Sequence, residues 1–333
     1  MAVTSSLSTS SLSTLAYRAD QFFVETGANL GDAFGIYEDL VLDDTYQLLA
    51  KSVMGRLALD ACPDGTISIA KDTDMGRAGA RLHLDCVVTL MPAVGPNVEV
   101  VSAVEVDGDG MIAEIYLLPL APLRADQGYT LVAANRHTQH QKLAQLASAS
   151  FSRGTHITLA TGAQCKIEDL KVGDRVLTRD EGPREIRWIG QSTAPAVGNL
   201  APILIKKGAL NNAQDLIVSP QHRLMVYQRS DSIGLGTPEI LVRASDLVNG
   251  STVTVQDGGY VDYFQILFDR HHIIYAEGIA AETLLLTPFT APALCSAAVL
   301  EHTAADQLPY LEPRKSQLPR GDAIAALKQA SRG

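Results

Sequence analysis

Three short stretches of this 333-residue sequence hold the side chains best suited to chemistry. The first runs Ser150-Phe151-Ser152-Arg153-Gly154-Thr155-His156-Ile157. Taken alone, Ser150 is an ordinary loop or strand-edge hydroxyl. The second, Asp215-Leu216-Ile217-Val218-Ser219-Pro220-Gln221-His222-Arg223, sets a hydroxyl and an imidazole three residues apart. On a turn such a pair can converge on one amide, and Pro220 would fix the backbone between them. The plainer reading is a capped turn that only keeps its shape. The third runs from Tyr263-Phe264-Gln265 to Asp269-Arg270-His271-His272. Adjacent histidines on a strand point to opposite faces, so these two cannot share one ion without distortion. No metal or cofactor site is therefore expected. His137 and His140 have helical spacing but no further ligand, and read as solvated.

These residues must be positioned by β structure. From Thr66 onward TISIA, RLHLDCVVTL, NVEVVSAVEV, MIAEIYLLPL and YTLVAA are rich in β-branched residues and divided by turn-forming ones. Asp107-Gly108-Asp109-Gly110 reads as a tight hairpin connection, and the spacing favours a small β-sandwich. Residues 17–59 could hold a short helix or two strands. Past Thr155 short strands resume, broken so often by glycine that they suit a compact, strongly twisted β-fold. The expected order is a flexible Ser/Thr-rich lead-in over 1–16, then an amino-terminal β-sandwich-like domain over 17–134. A polar, helix-compatible linker follows over 135–149, an all-β domain over 150–287, and a partly helical, mostly exposed tail over 288–333. The fold class is mainly β.

The three stretches, in this order, resemble the bacterial Hint domains, relatives of intein splicing elements and of the Hedgehog autoprocessing domain. The likeness spans about 130 residues. It includes Gly154-Thr155-His156-Ile157, the run Ile167-Glu168-Asp169-Leu170 to Gly173-Asp174, Trp188-Ile189-Gly190, and Ala276-Glu277-Gly278. It implies a twisted all-β Hint fold and self-cleavage. It puts the nucleophile at Ser150, where the family has cysteine, and the scissile carbonyl on Ala149. It also puts the activating pair at Ser219 and His222, and the family's late histidine at His271.

Peptide-to-ester exchange is uphill because amide resonance is lost. The site must therefore strain the bond, stabilise the oxyanion and protonate the departing nitrogen. Several residues depart from the family pattern. Serine supplies essentially no alkoxide at neutral pH, whereas a thiol supplies some thiolate. Gln265 stands where the family prefers histidine and cannot transfer protons. Ala281-Glu282-Thr283 replaces the terminal His-Asn of inteins, which speaks against splicing. The expected function is thus an N–O acyl shift at Ala149–Ser150 that is slow or absent. The alternative is a non-catalytic structural or interaction protein that keeps the fold, with residues 17–134 binding a protein or glycan partner. A hydrolase acting on an outside substrate ranks last, since no G-x-S-x-G elbow surrounds the serine.

Composition narrows the partners. A formal charge of −10 argues against nucleic acid and anionic membrane surfaces. No run of roughly 18 apolar residues suggests a membrane span. The amino terminus lacks the charged start and apolar run of a standard signal peptide, so the expected location is cytoplasmic, or outside the cell by another route. Cys62, Cys86, Cys165 and Cys295 are too scattered for a disulfide framework or zinc ribbon.

Overall fold

A computed structural model of the chain describes residues 11–61, 66–228, 237–287 and 290, together with 313, 317, 318, 324 and 327. The chain divides into two compact units, one built on Thr9–Ala147 and the other on Ser148–Leu286 with Leu294–Gly333.

The amino-terminal unit is one nine-stranded antiparallel sheet. Six strands close into a ring in the order Arg81–Pro92, Ile67–Ile69, Gly55–Ala61, Ser11–Arg18, Ile112–Pro119 and Val98–Val106. The last returns to pair with the first. The chain is mainly β as expected, but in place of the two packed layers of a sandwich this sheet is continuous and closed on itself. The far half of Arg81–Pro92 also pairs with Gly128–Asn135, which carries Thr45–Leu48 and then Phe22–Thr26. Over that extension Phe22 stacks on Tyr46 at 5.2 Å, with Phe34 and Tyr129 against them. Such aromatic clustering adds directional contacts to apolar burial.

Asp107 closes the expected hairpin, its Oδ1 accepting from the Asp109 and Met111 amides at 2.9 Å. One expectation needs correction here. Residues 11–16 are no lead-in but part of strand Ser11–Arg18, paired on both sides. Leu12, Thr14 and Ala16 alternate inward, a period-2 pattern hidden under a Ser/Thr-rich composition. The segment read as a possibly helical linker does contain a helix, Gln139–Ala147. This helix packs on strands Arg81–Pro92 and Val98–Val106, burying Leu143, Ala144 and Leu146.

Among the described residues the carboxy-terminal unit has two antiparallel sheets around a main apolar core. One runs Trp188–Pro195, Tyr260–Leu267, Phe151–Ser152, Leu216–Val218, Ile203–Ile205, Val253–Val255. The other centres on the hairpin Ile273–Ala276 with Ile279–Glu282, which pairs outward to His156–Thr158 and Arg223–Tyr227. Glu277 and Gly278 form its two-residue turn, with φ of 48° and 80°. Positive φ at both turn positions matches the strand twist and explains the Glu-Gly pair. The Glu277 carboxylate is anchored by the His156 amide at 2.7 Å.

The tail is not simply an exposed appendage. Leu318, Ile324 and Leu327 are buried in this unit's core, and the last two are helical. The rest of the helix expected there lies outside the described residues, as do Cys62 and Cys295. Cys86 and Cys165 are free thiols.

Candidate active site

Register alone brings the site together. Phe151 pairs with Val218 on one side and Phe264 on the other. In an antiparallel ladder the residue before Phe151 must then meet the residues after those two partners, Ser219 and Gln265. Ser150 is therefore flanked by both, and is buried.

The contacts are specific. The Ser150 amide donates to Ser219 Oγ at 3.0 Å, and Ser219 Oγ donates to the Ser148 carbonyl at 2.8 Å. One hydroxyl thus ties the groups on either side of Ala149. The Ser219 amide donates to the Ser150 carbonyl at 2.9 Å. His222 Nδ1 lies 3.2 Å from that same oxygen. The Ser219-Pro220-Gln221-His222 turn is closed by the His222 amide donating to the Ser219 carbonyl at 3.1 Å. It is anchored by Ala244 and Ser245, whose amides donate to His222 and Pro220. Phe151 meets the His222 ring edge-on at 4.4 Å.

Gln265 Nε2 donates to Ser150 Oγ at 3.1 Å. Gln265 sits opposite Gly190 across the ladder. A Cβ at Gly190 would lie 2.7 Å from Gln265 Oε1 and 2.1 Å from the Trp188 ring. The glycine of Trp188-Ile189-Gly190 is thus a clearance for those two side chains. Its role is close approach rather than backbone freedom.

His271 enters by another route. No hydrogen bond joins it to Ser150 among the described residues. Its Nε2 lies 3.5 Å from Glu282 Oε2. Glu282 is buried and accepts from the Arg223 amide at 2.8 Å and the Arg223 guanidinium at 2.9 Å. His272 turns elsewhere, 3.6 Å from Asp269 and edge-on to Phe268. Among the described residues no cluster of His, Cys, Asp and Glu is placed to hold a metal ion. No described helix is long and apolar enough to cross a membrane.

Burial lowers the His222 imidazole to about 4, against a partial upward pull from Glu282. Burial alone would raise Glu282, but Arg223, His271 and His222 together hold it down to about 2. Both shifts make the unit acid-labile. An unfolded imidazole takes a proton near pH 6.5, while folded His222 resists down to about 4. Between those values the unfolded chain binds the extra proton, so stability falls by about 3 kcal/mol. The Glu282 contribution is present above about 4.5 and is lost as the pH falls towards 2. Urea unfolding followed by Trp188, the sole tryptophan, should show the midpoint falling from pH 7 to pH 4. His222→Gln should flatten that fall; an unchanged slope would contradict it.

Ser150, Ser219 and His222 thus lie together, while His271 meets Glu282 instead. Sequence reasoning missed Glu282 and Arg223. The available signal was a carboxylate ending the apolar strand Ile279-Ala280-Ala281-Glu282, where a lone charge must find a partner.

No curated protein matches the chain. Among solved structures it is similar to the gp41-1 intein, 14% identical with a TM-score of 0.26, over 40% of this chain and 97% of that one. It is also similar to an Ssp DnaB mini-intein variant, 10% identical with a TM-score of 0.29, over 42% of this chain and 97% of that one. The family model for the Hint domain matches residues 149–288, which include Ser150, Ser219, His222, Gln265, His271 and Glu282. The carboxy-terminal unit thus carries a Hint domain.

Proposed function

We propose that residues 149–288 form an autoprocessing module whose reaction is an N–O acyl shift at Ala149–Ser150, slow in the native chain and without splicing. Ser150 Oγ attacks the Ala149 carbonyl carbon. The new C–O bond forms, the C–N bond breaks, and the hydroxyl proton ends on the Ser150 nitrogen as a free amine. Water or an added nucleophile then resolves the ester and releases residues 1–149.

The observation that carries this reading is the Ser219 hydroxyl, held between the Ser150 amide and the Ser148 carbonyl. It clamps both flanks of the bond to be broken. It also stands 3.0 Å from the nitrogen that must be protonated. Rotated away from Ser148, it would aim its proton there. His222 is the buried base that takes the Ser150 hydroxyl proton, and the imidazolium passes it to Ser219 as Ser219 gives its own to the Ser150 nitrogen.

A second reading, a Hint fold kept only for structure or interaction, is favoured by one contact. Gln265 donates to Ser150 Oγ, occupying a nucleophile lone pair and offering no base. The two readings separate on a denaturing gel of the purified chain held at neutral pH with hydroxylamine. The proposal expects slow appearance of two fragments, abolished in Ser150→Ala. A chain that stays whole for days, no different from Ser150→Ala, leaves the structural reading.

A further inference from the structure

The reaction just proposed moves a proton among buried groups, and a buried imidazole accepts one only if a countercharge supports it. We infer that Glu282 is that countercharge, a positioning residue that acts on the reaction through His222. The inference rests on the autoprocessing reading for its role in catalysis, but not for its electrostatics.

The placement follows from the strands. Leu224 pairs with Ala281 across the antiparallel ladder. Arg223 therefore stands opposite Glu282, and His222 is the next residue along. Glu282 is 1% exposed and His222 wholly buried, so no solvent screens the pair. Two donors from Arg223 hold the carboxylate ionised and fix its direction, and His271 approaches its Oε2 at 3.5 Å. Arg223 and Glu282 carry the charges acting on His222; Arg223, His271 and His222 carry those acting on Glu282. A carboxylate clamped this way is unsuited to take the proton itself. It is suited to favour the charged form of the His222 imidazole, one residue along from its partner Arg223. The three residues 223, 271 and 282 thus form an inner layer behind the Ser150–Ser219–His222 contacts.

Two measurements on the full chain test this. The first titrates His222 by NMR in the Ser150→Ala chain, which cannot rearrange. Adding Glu282→Gln should lower the His222 midpoint by about one pH unit or more, the usual effect of losing an opposite charge at close range. Glu282→Asp should give an intermediate value, because a set-back carboxylate still counts as charge. A His222 midpoint unmoved by E282Q overturns the inference. Should E282Q not fold, an E282D midpoint equal to that of the parent overturns it instead.

The second follows cleavage in the Ser150→Cys chain. E282Q should slow it roughly tenfold, the rate equivalent of one pKa unit, and E282D should recover part of the loss. An equal rate with and without E282Q overturns the catalytic part. A Ser150→Cys chain that never cleaves overturns the autoprocessing reading, and the titration then decides the role of Glu282 alone.

Discussion

Replacing Ser150 by cysteine should raise cleavage of the Ala149–Ser150 bond by roughly 100-fold or more at neutral pH. A thiol has its pKa near 8.5, so a few per cent is thiolate at pH 7, while the alcohol supplies essentially none. Every other element named above is unchanged by the substitution. Ser219 still ties the Ser150 amide to the Ser148 carbonyl, and His222 still approaches the Ser150 carbonyl. The larger sulfur also accepts only weakly from the Gln265 amide, which relaxes the contact that now occupies the serine oxygen. The acyl group would be carried as a thioester, so dithiothreitol should speed release in S150C and leave the native chain unaffected. Gel time courses with and without dithiothreitol measure both effects. An S150C chain that remains intact in dithiothreitol would mean that the fold persists without its chemistry.

Removing Arg223 should be the most damaging change to stability. Arg223→Ala leaves Glu282 buried with its guanidinium partner gone, keeping the residue-223 backbone amide and His271 as close contacts. Taking one member from a buried ion pair costs about 3–5 kcal/mol, because the stranded charge keeps its desolvation penalty. Replacing both members by apolar residues of similar volume, as in Arg223→Met with Glu282→Leu, should recover most of that loss. Urea unfolding read from Trp188 fluorescence distinguishes these cases, since that residue lies in the same unit. A near-neutral R223A, or a double variant no better than the single one, would show that the pair is not the internal strut described here.

Much of the site was legible because its order is local. Ser219-Pro220-Gln221-His222 is a four-residue turn, and its hydroxyl and imidazole reach the same stretch of backbone for reasons visible in their spacing. The Asp107 hairpin followed from turn chemistry in the same way. Glu277-Gly278 was visible only as part of a family pattern, and the two-residue turn supplies its physical reason.

What escaped depends on partners distant in sequence. Glu282 and Arg223 are 59 residues apart, and only the pairing of their strands makes one the reason for the other. Gly190 looks like a turn glycine until Gln265 and Trp188 are seen to need its space. Strand Ser11–Arg18 was hidden because half of its residues face away from the core and are free to be polar. Its inward Leu12, Thr14 and Ala16 are too small a signal against a Ser/Thr-rich background. The helix-compatible segment over 135–149 gave no sign that its helix, Gln139–Ala147, would dock, because only one narrow face of it, Leu143, Ala144 and Leu146, is buried. Leu318, Ile324 and Leu327 show the same difficulty in the tail, where a few apolar contacts decide docking.

The most direct test is the intact mass of the native and S150C chains after incubation with hydroxylamine. An acyl shift at Ala149–Ser150 predicts two products. One is residues 1–149 ending in a hydroxamate on Ala149, and the other is a fragment beginning at position 150, formed slowly in the native chain and rapidly in S150C. A single species near 35.6 kDa in both, or a break at any other bond, would contradict it.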